Sequence, residues 1–255
     1  MLVTRQGLMV SPWAMIRSIQ IVLGFLTGIK TTIRPIPDLD EIGRSAWAFP
    51  VVGALMGILL LVAHSLIGDH FPGAVRALLI VIVWVVVTGG LHLDGWTDCW
   101  DSLAASVPQE RRREILKDSR LGAYGALGLV LLLALKVAAV ADPEFPLAAL
   151  VLAPVAGRAM MVIASYGSRH GETGMAAVFI SGLDPRSVKW AWIIVLAVAL
   201  PAGIIGFVAV GCAYLGAVGF KRFAESRLGM VNGDVIGAMC ELSETVVLLV
   251  FCVRW

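Results

Sequence analysis

Residues 89–125 read GGLHLDGWTDCWDSLAASVPQERRREILKDSRLGAYG and lie between two long apolar runs of the chain. Within this stretch Asp94, Asp98 and Asp101 are spaced i, i+4 and i+7. On a helix, this spacing places the three carboxylates within roughly 60° of one face. Like charges in one stripe repel, and a divalent cation would offset the repulsion because Mg²⁺ and Mn²⁺ prefer carboxylate oxygens. The stretch therefore predicts a metal site, with a solvated acidic turn beside a membrane as the alternative.

The composition of the chain is that of a membrane protein. Its 255 residues are 59% hydrophobic and 15% charged, with a mean hydropathy of +0.89, whereas soluble domains are about 45–50% apolar and about 25% charged. Several apolar runs approach the length of about 18 residues that marks a transmembrane helix. We predict an all-α, polytopic helix bundle of about seven to eight hydrophobic helices, forming a single transmembrane domain over residues 1–255. The four cysteines lack CxxC spacing and are expected to be free thiols.

The distribution of positive charge predicts the orientation of the bundle. The turns at 68–73 and 142–146 contain no Lys or Arg, so the positive-inside rule places the charged loops, and an active site among them, at the cytoplasmic face of the inner membrane. A hairpin around Pro201 is needed to bring the last two of these loops to the same side. The first apolar segment, residues 13–29, is expected to be an interfacial or tilted helix. The predicted cytoplasmic loops are residues 30–46, 94–122, 166–189 and 221–234.

A second group of charged residues lies near the end of the chain and inside an apolar run. Asp234 and Glu241 are seven residues apart, Glu244 follows, and Arg158 stands within a predicted span. Unpaired charges in lipid are costly, so these acids are expected to face a polar cavity, a metal or Arg158. Arg158 is expected to bind a pyrophosphate, or else to pair structurally with Glu241 or Glu244.

Acids and bases that share one side of a membrane favour a phosphate-and-metal site. A pyrophosphate requires cations, which Mg²⁺ on carboxylates and Arg or Lys side chains supply. A carboxylate can also accept the proton of an attacking hydroxyl. The chain contains no P-loop, GxSxG or HExxH motif. The residues therefore predict metal-assisted transfer of a phosphate-linked group at the membrane surface.

Four sequence blocks resemble the cobalamin synthase (adenosylcobinamide-GDP ribazoletransferase) family in their order and spacing. They are AFPVVGALMG at 48–57, GGLHLDGWTDCWDSL at 89–103, KDSRLGAYG at 117–125 and GDVIGAMCELSE at 233–244. The resemblance extends over most of the chain. Trp96, Thr97 and Trp100 stand where the family has smaller residues, and Asn232 stands where Thr is more usual. These departures concern substrate fit more than chemistry, because the acidic residues are intact.

The resemblance implies a reaction, a cofactor and partners. Adenosylcobinamide-GDP would react with α-ribazole or its 5′-phosphate, the ribose 3′-hydroxyl attacking the corrinoid-linked phosphate while GMP leaves. Mg²⁺ is the implied cofactor, and the implied surroundings are membrane lipid. Contacts with other late cobamide-assembly enzymes and homo-oligomer formation are left open, and no nucleic acid is expected.

The resemblance also implies the residues of the site. The expected catalytic and metal-binding residues are Asp94, Asp98 and Asp101. The expected substrate-binding residues are His92, Lys117, Asp118, Ser119, Arg120, Arg158, Lys221, Arg222, Asn232, Asp234, Glu241 and Glu244. Three of these have simpler interpretations: Asn232 as a helix cap, and Lys221 and Arg222 as cytoplasmic anchors.

Two other functions are compatible with parts of the pattern. CDP-alcohol phosphotransferases also place an acidic motif in a membrane helix, but their motif has Ala-Arg where this chain has Thr97-Asp98. A cation or corrinoid transporter would place its acids near the bilayer midplane, often with internal repeats. The chain shows no repeat, and its charges are densest in loops on one predicted side, which favours an enzyme.

Overall fold

The computed structural model describes residues 12–29, 33, 39–142, 144–171 and 174–254. Within these ranges the chain forms twelve α-helices, three short 3₁₀ turns and no β-strand. The helices are α1 (Pro12–Leu26), α2 (Leu39–Arg44), α3 (Phe49–Ile67), α4 (Gly73–Thr88), α5 (Leu91–Ala104), α6 (Gln109–Ile115), α7 (Ala123–Ala141), α8 (Ala148–Ser165), α9 (Met175–Gly182), α10 (Pro185–Ala199), α11 (Gly203–Leu228) and α12 (Gly233–Cys252).

The apolar helices confirm the predicted all-α, multi-pass membrane bundle. Five helical stretches of the described chain are long and apolar enough to cross a membrane, or six if α4 and α5 together form one broken span. The number of helices that cross the membrane stays a prediction. Helix α1 is apolar but shorter than these stretches, so its relation to the membrane also stays a prediction.

The stretch of residues 89–125 begins at a sharp bend between α4 and α5. The two helices meet at 94°, and Gly89 and Gly90 at the junction have φ values of 62° and 70°. Residues with a β-carbon rarely adopt this left-handed conformation, whereas glycine adopts it at little cost. The glycine pair therefore turns the acidic helix α5 away from the direction of α4.

Helix α8 lies at the centre of the bundle, with nearly all of its residues buried, and it packs against α3, α10, α11 and α12. Its contact with α3 depends on two glycines. A β-carbon at Gly53 would lie 2.6 Å from the Pro154 carbonyl oxygen, and one at Gly57 would lie 2.6 Å from the Val151 Cα. The two glycines, four residues apart in the sequence, therefore form a close helix crossing of the kind that small residues at this spacing favour.

The chain reverses direction between α10 and α11, as predicted. The turn is the 3₁₀ segment Leu200–Ala202, which contains Pro201. The rings of Trp192 and Tyr214 lie 5.3 Å apart, although a straight helix would separate them by roughly 30 Å. The structure differs from the predicted loop 221–234, because residues up to Leu228 continue α11.

Four charged side chains form a buried cluster inside the bundle. The Lys136 Nζ lies 2.5 Å from a carboxylate oxygen of Glu241 and 2.5 Å from one of Glu244, and Arg158 pairs with Glu244. All four are nearly inaccessible to solvent. The indole ring of Trp84 lies 4.7 Å from the ammonium. Two cations and two anions make the cluster neutral, and it joins α7, α8 and α12 where single charges would be expensive.

We predict that Lys136→Met strongly destabilises the protein, because it leaves two buried carboxylates beside only one cation. Breaking a buried ion pair costs about 3–5 kcal/mol. Thermal unfolding in detergent measures the effect. The control is Arg76→Met, which removes an ion pair to the exposed Asp69 and should cost at most about 1 kcal/mol. A Lys136→Met protein of wild-type stability that has lost substrate binding would show that the cluster serves the substrate.

We also predict that Gly57→Ala destabilises the bundle by about 1–3 kcal/mol, the usual range for overpacking a core. The new methyl group meets the backbone of α8, which cannot move aside as a flexible side chain can. Gly211→Ala is the matched control, because Gly211 in α11 has no neighbouring atom within 4 Å of a β-carbon. That control should be neutral or stabilising, since alanine favours helix. Equal thermal stability of the two variants would contradict the close crossing.

Candidate active site

The site forms where α12 begins against the face of α5. A β-carbon on Gly95 would lie 2.8 Å from the Asp234 carbonyl oxygen and 2.9 Å from its Cα. Only glycine permits this approach, because both obstacles are backbone atoms. The approach brings Asp234 to the acidic face of α5, where Asp98 is repelled by the charges of Asp94 and Asp234. Three carboxylates from two helices therefore share one site.

Asn232 fixes the position of Asp234. Its side-chain oxygen accepts a hydrogen bond of 3.0 Å from the backbone N–H of Val235, which caps α12. Its side-chain nitrogen donates a hydrogen bond of 2.7 Å to the Asp234 carboxylate. The structure therefore confirms the interpretation of Asn232 as a helix cap, and the same side chain orients an acidic residue of the site.

The carboxylate of Asp101 has hydrogen-bond partners that its spacing from Asp94 and Asp98 does not predict. One carboxylate oxygen accepts a hydrogen bond of 2.8 Å from the N–H of Gly122, and the other accepts one of 2.8 Å from the N–H of Gly125. These N–H groups belong to the start of α7, where a helix has no internal acceptors for them. Asp101 therefore joins α5 to α7. Its spacing from Asp94 and Asp98 predicts a metal-binding role for Asp101 as well, and that role stays a prediction.

The acidic site offers few ligands for a metal by itself. Over the ranges that the structure describes, no three His, Cys, Asp or Glu side chains are grouped so as to hold a metal ion. Mg²⁺, however, is commonly bound by one or two protein carboxylates, with water and substrate phosphates completing its coordination. Asp94 and Asp98, one turn apart on α5, fit that kind of shared site.

Two cavities meet at Asp94. The larger has a volume of about 590 Å³, and its lining includes Asp94, Asp98 and Ser119. The smaller has a volume of about 160 Å³, and its lining includes His92, Asp94 and Asp234. Asp94 is the acidic residue common to both. The arrangement is suited to a reaction between two molecules that approach one carboxylate from different sides.

The segment between α6 and α7 borders the larger cavity through Ser119. Lys117 is exposed there. The Arg120 guanidinium donates hydrogen bonds of 2.9 Å and 2.6 Å to the two carboxylate oxygens of Asp118. These bonds lower the pKa of Asp118 to about 2 and raise the pKa of Arg120. A phosphate that contacts Arg120 through these N–H groups would therefore compete with the Asp118 carboxylate.

Of the twelve predicted substrate-binding residues, three line the two cavities: His92, Ser119 and Asp234. Arg158, Glu241 and Glu244 belong to the buried cluster with Lys136, so the structural pairing of Arg158 with Glu244 is the alternative that the geometry supports. Lys221 and Arg222 lie in the last turns of α11. A substrate role for these five residues stays a prediction.

Two residues that shape the site, Arg112 and Trp96, are not among those that the sequence pattern predicts for it. Arg112 is buried and donates hydrogen bonds of 2.7 Å and 2.9 Å to the carbonyl oxygens of Ser102 and Leu103, at the end of α5. It stands among three consecutive arginines, and nothing in the sequence shows which of them faces the bundle. The Trp96 indole donates a hydrogen bond of 2.9 Å to the Gly128 carbonyl of α7. Its position between the acids is the only signal that the sequence offers.

Known proteins resemble the chain over nearly its whole length. The family model described as cobalamin-5-phosphate synthase matches residues 18–252. An adenosylcobinamide-GDP ribazoletransferase of Brevibacillus brevis is 39% identical, over 91% of this chain and 98% of that protein. One of Pseudomonas fluorescens is 37% identical, over 90% of this chain and 96% of that protein. No solved structure matches the chain. By the extent of the family match and of these identities, the chain belongs to the cobalamin-5-phosphate synthase family.

Proposed function

We propose that this protein is an adenosylcobinamide-GDP ribazoletransferase, the activity named for its relatives. The observation that carries the proposal is the carboxylate group formed by Asp94, Asp98 and Asp234 between two cavities. A transferase needs two substrates to meet at one reacting phosphate, and Asp94 lines both cavities. The products are adenosylcobalamin, or its 5′-phosphate, and GMP.

The reaction is a displacement at phosphorus. The ribose 3′-hydroxyl of α-ribazole, or of its 5′-phosphate, forms a P–O bond to the phosphate attached to the corrinoid side chain. The bond from that phosphorus to the oxygen shared with GMP breaks, and its electron pair leaves on GMP. The hydroxyl proton passes to a carboxylate. Each step needs only the two substrates and a base, so the reaction balances without a further reactant.

The three carboxylates have different positions and therefore different proposed roles. Asp94 and Asp98 both line the larger cavity, where they would hold Mg²⁺ together with the pyrophosphate of adenosylcobinamide-GDP. When bound, Mg²⁺ neutralises phosphate oxygens and stabilises the charge that develops on the leaving group. Asp234 lines only the smaller of the two, and its orientation is fixed by Asn232. Asp234 is placed to accept the proton of the attacking hydroxyl.

The structure supports a further role for the residues that flank these acids. Asp101 orients the start of α7 through Gly122 and Gly125, and α7 forms a wall of the larger cavity through Leu129 and Leu133. We assign Asp101 to positioning, because hydrogen bonds already engage both of its oxygens. Ser119 lines the larger cavity and Lys117 is exposed two residues before it, and we propose that both contact phosphate oxygens of the substrate.

The site is proposed to face the cytoplasm from the inner membrane. The basic residues concentrate on the loops of one predicted side, and the nucleotide substrates are water-soluble. Membrane lipid then surrounds the apolar helices, whereas the acidic face of α5 meets water. Asp94 is solvent-exposed at this face.

We predict that Asp94→Asn and Asp98→Asn each lower kcat at least about 100-fold, because each removes a carboxylate that would hold the metal, and the metal would hold the phosphate. Purified protein in liposomes is given adenosylcobinamide-GDP and α-ribazole 5′-phosphate, with and without Mg²⁺, and GMP release is measured. Asp69→Asn, at an exposed position in the turn before α4, is the control and should keep wild-type activity. Full activity of either active-site variant would contradict the assignment. Folded wild-type protein that releases no GMP with any divalent metal would contradict the proposed function itself.

A further prediction concerns Gly95→Ala. The added methyl group collides with the backbone of Asp234. Helix α12 must therefore shift away from α5, and this shift moves the Asp234 carboxylate out of the site. We expect kcat to fall at least about tenfold, because small displacements of reacting groups have large effects on rate. Gly219→Ala, in an open part of α11, should keep its activity. Normal turnover by Gly95→Ala would show that Asp234 does not act at this position.

A further inference from the structure

The smaller cavity has aromatic walls. Its lining includes Phe25, Phe49 and Phe179, from α1, α3 and α9. The rings of Phe49 and Phe179 are stacked with their centroids 5.2 Å apart and their planes 20° apart, and Phe25 packs on Phe49 at 6.1 Å. Met161 of α8 adds a polarisable side chain to the lining. Such walls favour a flat, apolar ligand, because aromatic faces stack on other aromatic rings.

One polar side chain in this lining has no partner. His92 is only 2% exposed, and neither of its ring nitrogens has a hydrogen-bond partner among the described residues. It lines the smaller cavity. Buried polar groups nearly always have a partner, and one that lacks it calls for an explanation. A ligand that brings one hydrogen-bonding atom into the cavity would provide the partner.

We propose that the smaller cavity binds the aromatic base of the nucleoside substrate; this inference rests on the proposed function. The volume of about 160 Å³ is similar to that of apolar cavities of roughly 150 Å³ that hold a benzene ring. A benzimidazole base is flat and apolar except for one free ring nitrogen, which accepts a hydrogen bond. The imidazole of His92 carries an N–H in either tautomer and donates it to that nitrogen. The ribose then extends toward Asp94 and Asp234, which line the same cavity.

The two cavities divide the substrates by size and charge. Adenosylcobinamide-GDP carries a corrin ring and a pyrophosphate, which the small, aromatic cavity does not accommodate. The larger cavity, of about 590 Å³, is lined by Asp94, Asp98 and Ser119 among apolar side chains. With the base in one cavity and the pyrophosphate in the other, the ribose hydroxyl and the reacting phosphate meet at Asp94.

The aromatic cavity also predicts which bases the enzyme accepts. An adenine base has several polar edge atoms, and the cavity lining offers His92 as the side chain suited to donate to one of them. The other polar atoms would lose their water without finding partners, and such losses reduce kcat/KM strongly. We therefore expect benzimidazole nucleotides to be used at least about tenfold more efficiently than an α-linked adenine nucleotide.

The test measures KM for each of the two substrates separately. We expect His92→Phe, which keeps a ring but removes both nitrogens, to raise KM for α-ribazole 5′-phosphate at least about tenfold. KM for adenosylcobinamide-GDP should stay within about twofold of wild type, and thermal stability should not fall, since an unpartnered buried group is removed. His92→Gln retains hydrogen-bonding groups and should recover part of the affinity. If His92 had a purely structural role, its replacement would not raise KM for α-ribazole 5′-phosphate alone.

A second variant fills the cavity from a different wall. Ala176 of α9 lines it, and Ala176→Phe should raise the same KM without changing the other. Ala197→Phe is the matched control, because Ala197 is exposed on α10. Unchanged nucleoside KM in both His92→Phe and Ala176→Phe, or equal changes in the two constants, would overturn the inference.

A binding measurement keeps the inference separate from the proposed function. Wild-type protein and His92→Phe are titrated with α-ribazole in equilibrium dialysis, without the second substrate. Weaker binding by the variant supports the cavity assignment even if turnover is absent and the proposed function fails. Turnover by the wild type with equal α-ribazole binding in both proteins would leave the function standing and overturn the cavity assignment.

Discussion

The arrangement of the bundle depends on pairing charges away from water. Lys136, Arg158, Glu241 and Glu244 are all buried, and in a medium of low dielectric each is tolerable only next to an opposite charge. This pairing requires α7, α8 and α12 to pack with a fixed rotation about their axes and a fixed axial position relative to each other. Asp234 stands at the start of the helix that carries the two glutamates. The neutral cluster therefore also determines where that carboxylate enters the site.

Further contacts connect α5 to α7 and α12 at the acidic site. Asp101 of α5 binds backbone N–H groups at the start of α7, and Lys136 of α7 reaches α12 through the buried cluster. Helix α5 in turn touches α12 at Gly95, where backbone meets backbone. Each pair of these three helices is therefore in direct contact. Charged side chains make the α5–α7 and α7–α12 contacts, and a glycine allows the close α5–α12 contact. Contacts of this kind hold the acidic side chains in one arrangement, which a reaction at this site would require.

The bend at Gly89 and Gly90 explains how a charged helix fits a membrane protein. Helix α4 is apolar, whereas α5 carries three acids within four turns. Because of the 94° angle between them, α5 does not continue along the axis of α4. Asp94 and Asp98 line the larger cavity, and the aromatic side chains of α5 pack against the bundle, where the Trp96 and Phe220 rings stack at 6.3 Å. One amphipathic helix therefore presents the site and also anchors it.

The sequence by itself determined the all-α membrane class, the close crossing at Gly53 and Gly57, the reversal near Pro201 and the acidic stripe of α5. Those features follow from composition, helical period and residue size, which are local properties of the chain. Only the tertiary structure decided that Asp101 holds α7, that Arg158 pairs with Glu244, and that His92 meets a cavity with aromatic walls. Helical periodicity shows which residues share a face, but it does not show what packs against that face. The partners come from helices far apart in the chain, and their choice depends on how the whole bundle buries its charges and fills its interior.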